Sequence, residues 1–325
     1  MLAFQPARGN SRAPGPFREM EHSEVRMSGE NRLNVLAFDH HYELFELVGT
    51  ERGLVQAAKR LIFDGLLLAL DSGVQPAGAG ILVDEEYGGD IAREAASRGF
   101  SVAMPVERFG PGEFEFRFED FAAHLQEFAP TYAKALVRHN PRDDESRNRR
   151  QAGRVLVLDQ WCKRNGQKYM LEYLVEPLSD QLAACGGDRR RFQREIRPAL
   201  MLEALQELRA AGLEPDVWKV EGMDSPQDCE RLGRVATAEG RDHACCVMLG
   251  QGADMTTVLR WLEAASGAPG YAGFAVGRTA WADAVRRWAA GEDRREDAVR
   301  TVAERYRSMV ETFTQGRLGY FPRET

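Results

Sequence analysis

Short apolar runs alternate along the chain with longer amphipathic stretches. The runs are Leu33–Asp39, Gly80–Asp84, Phe100–Pro105, Thr131–Arg138, Lys168–Val175, Asp216–Glu221, Ala244–Gly250 and Gly273–Val276. Each is short and mostly apolar, the pattern of a strand covered on both faces. Helical periodicity is predicted between them, over Leu54–Ser72, Asp90–Arg98, Phe118–Phe128, Ser146–Arg164, Arg190–Ala211, Pro226–Glu239, Met255–Ser266 and Trp281–Ala290. A last helix is predicted over Glu296–Phe313. Eight strands, each followed by a helix, predict an α/β fold of the (β/α)8 TIM-barrel type. A doubly wound open sheet is the alternative, weakened because no GxGxxG follows the first strand. Residues 1–30 are rich in Pro, Gly, Arg, Ser and Glu and carry little periodicity. They are expected to be a disordered tail or an upstream start of translation, with Met20 or Met27 as the functional start. The expected organisation is a single barrel over residues 31–317 and a C-terminal tail over 318–325.

Composition adds mainly exclusions. The 325 residues are 43% hydrophobic and 29% charged, enough for one large core. A net charge of −7 argues against a nucleic-acid partner held by bulk electrostatics, while leaving room for a local basic pocket. The arginine clusters Arg147–Arg150 and Arg189–Arg191 are expected to be solvated helix faces or termini. Five cysteines (Cys162, Cys185, Cys229, Cys245, Cys246) form no CxxC pattern and suggest a reducing compartment. The apolar runs are too short to cross a bilayer and the first residues lack a signal-type apolar core, so a cytoplasmic protein with no membrane partner is expected. His40, His41 and His139 lie at strand ends, but no HxH or HExxH pair exists. The acidic run Asp84-Glu85-Glu86 could hold a hard cation or bridge to Lys134 or Arg138. The expectation is a site with neither metal nor cofactor.

Chemistry in a barrel collects at the C-terminal ends of its strands. The sixth strand carries Lys219. Alternation puts Val217, Lys219 and Glu221 on one face and Trp218 and Val220 on the other. Desolvation favours the neutral form of a buried amine, which can then attack a carbonyl and form a Schiff base. The plainer alternative is a structural lysine paired with a carboxylate such as Glu221. The same alternation turns Lys134, Glu172 and Asp39 toward Lys219 from strands four, five and one. Two lysines and two carboxylates would then meet in one cavity. The second ammonium is expected to disfavour protonation of Lys219. A purely structural salt-bridge cluster is the alternative. After strands seven and eight, Gly250-Gln251-Gly252 and Gly277-Arg278 offer backbone N–H groups and a guanidinium, the make-up of a phosphate site. Two ordinary turns with a surface Arg278 are the plain alternative.

These residues carry a family resemblance. Leu36–His41, Ile81–Gly88, Lys134–Val137, Leu171-Glu172, Asp216–Gly222 and Gly273–Arg278 match in order and spacing. Over about Leu33–Phe313 the chain resembles the aldolase-like domain associated with 5-dehydro-2-deoxygluconokinase of bacterial inositol catabolism. That domain is similar to class I tagatose-1,6-bisphosphate and sulfofructosephosphate aldolases. The resemblance implies a Schiff-base lysine at Lys219, a proton shuttle at Glu172, supporting roles for Lys134 and Asp39, and a phosphate arginine at Arg278. The chain departs from the tagatose-type pattern at Asp39-His40-His41, where Asp-Gln-Arg is usual. It departs again at Arg138-His139, where that pattern has a pair of tyrosines. His40, Arg138 and His139 are therefore expected to line a pocket for a carboxylate or sulfonate opposite the phosphate. The implied reaction is cleavage of 2-deoxy-5-keto-gluconate 6-phosphate to dihydroxyacetone phosphate and malonate semialdehyde, without metal or cofactor. The alternatives are another ketose-phosphate aldolase, an isomerase using Glu172 as base, or a non-catalytic sugar-phosphate binder. Pairing with a sugar kinase and a homo-oligomeric state are left open.

Overall fold

The computed structural model of the protein describes residues 32–110 and 112–319, with side chains described through residue 316. The chain begins with β1 (Leu33–Ala37), α1 (Tyr42–Val48), α2 (Arg52–Asp71), β2 (Ala79–Leu82), α3 (Glu85–Ser97) and β3 (Ser101–Pro105). Then come α4 (Phe121–Phe128), β4 (Tyr132–Arg138), α5 (Glu145–Asn165), β5 (Lys168–Leu174) and α6 (Ser179–Ala184). The short α7 (Arg189–Arg191) runs through a π turn, Phe192–Ile196, into α8 (Arg197–Ala210). Next are β6 (Val217–Glu221), α9 (Pro226–Ala236), β7 (Cys245–Leu249), α10 (Met255–Ser266), β8 (Tyr271–Val276), α11 (Arg278–Ala289) and α12 (Arg295–Gly319). The eight strands are parallel and close into a barrel, β8 pairing with β1. The predicted TIM barrel is the observed fold.

Period-two alternation sorts the strands into two cores. Val35, Ala37, Met170, Val217 and Val247 pack with one another inside the barrel. Leu36, Leu171, Trp218, Val220 and Met248 pack outward under the helices. Closure brings β8 very near β1. A Cβ at Gly273 would lie 2.1 Å from the Leu33 carbonyl oxygen, so only glycine fits that seam. The last helix also ties the seam, with the Tyr306 hydroxyl donating to the Asn34 carbonyl at 2.8 Å.

Several boundaries differ from expectation for local reasons. Helix α3 starts at Glu85 rather than Asp90, because the Asp84 side chain caps it by accepting from the Tyr87 N–H at 2.9 Å. Helix α11 starts at Arg278, directly behind Gly277, three residues ahead of the predicted Trp281. Helices α1 and α6, only 7 and 6 residues long, were not predicted, being too short to show periodicity. Helix α12 runs to Gly319, beyond the boundary expected at 317, while the proposed tail over 1–30 lies outside the described residues, as do residues 320–325. Among the described residues no helix is long and apolar enough to cross a membrane.

Candidate active site

Register makes the centre of the site. Glu172 on β5 and Lys219 on β6 are ladder partners, so their side chains rise side by side from adjacent strands. Lys219 Nζ donates to Glu172 Oε2 at 2.9 Å. The same oxygen lies 3.0 Å from Lys134 Nζ on β4. Lys134 also contacts Asp39 Oδ2 at 3.4 Å, beyond the end of β1. All four predicted residues are buried and meet. The plainer pairing of Lys219 with Glu221 does not occur. Glu221 instead accepts from Arg197 at 3.2 Å and from the Val175 N–H at 2.9 Å.

A fifth member escaped the sequence analysis. Glu107, two residues past β3, places Oε1 at 2.5 Å from Lys134 Nζ. Its other oxygen, Oε2, is buried without a hydrogen-bond partner among the described residues. Two ammonium groups thus face three carboxylates in a buried cluster, an imbalance that favours one protonated acid. Burial opposes ionisation at Asp39, but the ammonium groups around it, Lys134 foremost, outweigh it and hold the carboxyl well below the usual range. Burial likewise opposes ionisation at Glu172, where Lys134 and Lys219 prevail and lower the pKa. At Glu107 burial wins over Lys134 and the pKa rises. At Lys134 burial favours the neutral amine, but Glu107, Glu172 and Asp39 prevail and raise its pKa well above the ordinary value. Lys134 is therefore a fixed cation, and Glu107 is the acid pushed toward its neutral form.

The cluster lies between two cavities that share Lys219, Glu172, His40 and Arg278. One, of 310 Å3, is walled by Gly250, Gln251, Gly252 and Gly277 with Arg278. All the predicted phosphate-site residues therefore converge. Backbone approach is close there: a Cβ on Gly252, at φ +70°, would touch the Arg278 guanidinium at 3.1 Å. The other cavity, of 420 Å3, is lined by Arg138 from β4, across the barrel from β8, and by Glu107, Phe109 and Phe114. Arg138 Nε donates to the exposed Glu176 carboxylate at 3.0 Å. His40 sits at the junction, edge-on to Trp281 with ring centroids 5.4 Å apart, and burial lowers its pKa to about 4. It is a neutral imidazole at physiological pH.

Three expectations are corrected. His139 does not line the pocket: one residue past Arg138, it turns outward, with Nε2 2.7 Å from Glu207 Oε2 on α8. The acidic run after β2 bridges neither Lys134 nor Arg138. Asp84 pairs with Lys59 at 2.5 Å and His41 at 3.0 Å, and Glu85 and Glu86 pair with Arg117. Burial raises the Asp84 pKa, but Lys59 and His41 overcome it and bring it to about 2. Fully buried Lys59 also donates to the carbonyls of Phe38 at 2.6 Å and His40 at 3.2 Å, which fixes the chain on either side of Asp39. Finally, Arg189 is not only a solvated helix terminus, since it lines the cavity walled by Gly250–Gly252 together with Gln193. Among the described residues no group of three or more His, Cys, Asp or Glu is arranged to hold a metal ion.

Two solved structures share this architecture. A fructose-bisphosphate aldolase from Plasmodium falciparum, solved with TRAP and a small-molecule inhibitor, is 13% identical with a TM-score of 0.61, covering 89% of this chain and 92% of that one. A Schiff-base-forming fructose-1,6-bisphosphate aldolase studied through its reaction intermediates is 12% identical with a TM-score of 0.55, covering 86% and 94%. At these identities the likeness is one of fold. No functionally curated protein matches in sequence. Residues 13–317 match a family described as "Uncharacterized protein conserved in bacteria (DUF2090)".

Proposed function

The chain belongs to the DUF2090 family of uncharacterized proteins conserved in bacteria, and we propose that it is a class I, Schiff-base aldolase acting on a phosphorylated keto-sugar. The observation that carries the reading is the buried contact of Lys219 with Glu172, backed by Lys134, in a mouth with Arg278 and three glycines at one end. Lys219, after giving up its proton to solvent or a cluster carboxylate, attacks the substrate ketone, and loss of water gives an iminium. Glu172, held ionised by the two lysines, takes the proton from the β-hydroxyl. The carbon–carbon bond breaks, its electron pair flows into the iminium, and an aldehyde departs. Protonation of the resulting enamine and hydrolysis of the iminium free the second product and regenerate Lys219. Asp39 and Lys134 orient hydroxyls, and Glu107 anchors Lys134. Arg278 and the backbone at Gly252 and Gly277 hold the phosphate.

Arg138 supports a finer reading. A guanidinium lining the pocket from β4, across the barrel from Arg278 behind β8, suits an anionic terminus. The substrate in this reading is 2-deoxy-5-keto-gluconate 6-phosphate, whose products are dihydroxyacetone phosphate and malonate semialdehyde. Arg138 would exchange Glu176 for the substrate carboxylate. An inositol-catabolic role in the cytoplasm beside a sugar kinase accompanies this substrate assignment.

Borohydride reduction with dihydroxyacetone phosphate tests the chemistry. A stable adduct on Lys219, absent in Lys219→Met, is expected. Glu172→Gln should still trap but turn over about 10²-fold or more slowly. Absence of any adduct in the native protein would refute the Schiff-base mechanism. Cleavage assays on the deoxy-keto-gluconate phosphate, sulfofructose phosphate and tagatose bisphosphate then decide the substrate.

A further inference from the structure

Behind the Gly250–Gly252 loop, outside the barrel mouth, lies a third cavity of 530 Å3 between α7, the π turn, α8 and the start of α10. Its wall carries five arginines: Arg189, Arg190, Arg194, Arg197 and Arg260. The two acids in the wall are already engaged. Asp224 accepts from Arg260 Nε and Trp261 Nε1, each at 2.8 Å. Asp254 caps α10 by accepting from the Thr257 N–H at 2.9 Å. Among the described residues, the guanidiniums of Arg189, Arg190 and Arg194 make neither a hydrogen bond nor an ion pair. Arg191, on the same turn, is instead bound to Glu195 through Nε at 3.2 Å and Nη2 at 3.0 Å. Arg190, Arg194 and Arg197 reach this one cavity from α7, the π turn and the start of α8. Arg197, 2% exposed, spends its Nη atoms on Glu221, Gln251 and Gly222, while its Nε is buried without a partner. In a chain of net charge −7 this is a concentrated positive pocket.

We propose that this cavity is a second anion site, separate from the barrel-mouth phosphate site, that binds a phosphate-bearing small molecule. Planar guanidiniums converging on one cavity present paired N–H donors that match phosphate oxygens. The site communicates with the barrel mouth. Arg189, Gln193, Gln251 and Gly252 line both cavities, and Gln251, at φ +50°, is held by Arg197 through a 2.5 Å bond to its side-chain oxygen. A ligand on the outer arginines draws on Arg189 and adds negative charge beside the mouth, so its occupancy weakens phosphate binding at Arg278.

Inorganic phosphate is the probe, titrated calorimetrically into the full chain at about 100 mM chloride so that diffuse ion-atmosphere effects are screened. Two phosphates per chain are expected. Arg190→Ala/Arg194→Ala should remove one of them, or weaken it at least tenfold, and tighten the other. Arg278→Ala should remove the complementary one. Both arginines are exposed, so unchanged thermal unfolding of the double variant is expected and confirms its fold. A single phosphate lost in Arg278→Ala and unaffected by Arg190→Ala/Arg194→Ala overturns the proposal, as does an absence of phosphate binding. Neither result depends on Schiff-base trapping, so the proposal fails or stands apart from the aldolase reading.

Discussion

Replacement of Lys134 by methionine probes the charge balance of the site most directly. Methionine keeps the length and most of the volume of lysine but leaves Asp39, Glu107 and Glu172 facing Lys219 as their remaining ammonium partner in the cluster. Breaking a buried ion pair from one side costs about 3–5 kcal/mol. Unfolding entropy of about 2 cal/mol/K per residue over roughly 300 residues gives about 0.6 kcal/mol per degree, hence a Tm lower by about 5–8 °C at pH 7.5. The pH dependence separates this from simple loss of packing. In the native protein Asp39 and Glu172 have depressed pKa values, so they stabilise the fold above their unfolded pKa and lose that contribution only as pH falls through the folded values. Without Lys134 the same burial raises them, and the variant takes up protons on folding as pH drops from 7.5 to 5. Its Tm deficit should therefore shrink at pH 5. Glu107→Gln, which keeps an oxygen to accept from Lys134, should cost less than Lys134→Met at either pH. Thermal unfolding by circular dichroism at the two pH values reads all of this. An equal or larger deficit for Lys134→Met at pH 5, or a Glu107→Gln cost matching it, would refute the charge assignment.

Other consequences are equally accessible. The His40 imidazole, its pKa lowered to about 4 by burial, should show no NMR titration between pH 6 and 8; the stability tied to its neutral form is present above the unfolded pKa near 6.5 and is lost as pH falls toward 4. A titration near 6.5 would remove His40 from the buried junction. Arg138→Ala should raise KM about 10- to 100-fold for substrates with an anionic remote end, the worth of one charge-assisted hydrogen bond, whereas His139→Ala should lower Tm and leave KM alone. Equal KM effects would mean that the two side chains do not face opposite ways. Gly273→Ala should cost about 3 kcal/mol, because its methyl meets the Leu33 carbonyl at the closure seam. A neutral outcome in chemical denaturation would mean that the seam relaxes freely.

The strand count, and with it the barrel, follow from the sequence because burial on both faces writes itself locally as short apolar runs. Period-two alternation then determines that Lys134, Glu172 and Lys219 point inward together, since a side chain's face depends only on its place in its own strand. The glycines after β7 and β8 mark one end of the mouth for a similarly local reason: close backbone approach excludes a Cβ. Tertiary structure alone decided what lies across from each group. Glu107 follows its strand in an irregular stretch, where no periodicity assigns a direction, and it meets Lys134 only after β3 and β4 pair. His139 turns to Glu207, which is 68 residues away, and Lys59 finds Asp84 through the packing of α2 against the barrel. The outer arginines read as solvated helix ends until the fold closes a cavity over them. Among all these, Lys219 shows the division most sharply. Its own strand fixes that it faces inward, but only the pairing of β6 with β5 gives it Glu172 rather than Glu221, because ion-pair choice depends on the register between strands whose residues lie 47 apart in the chain.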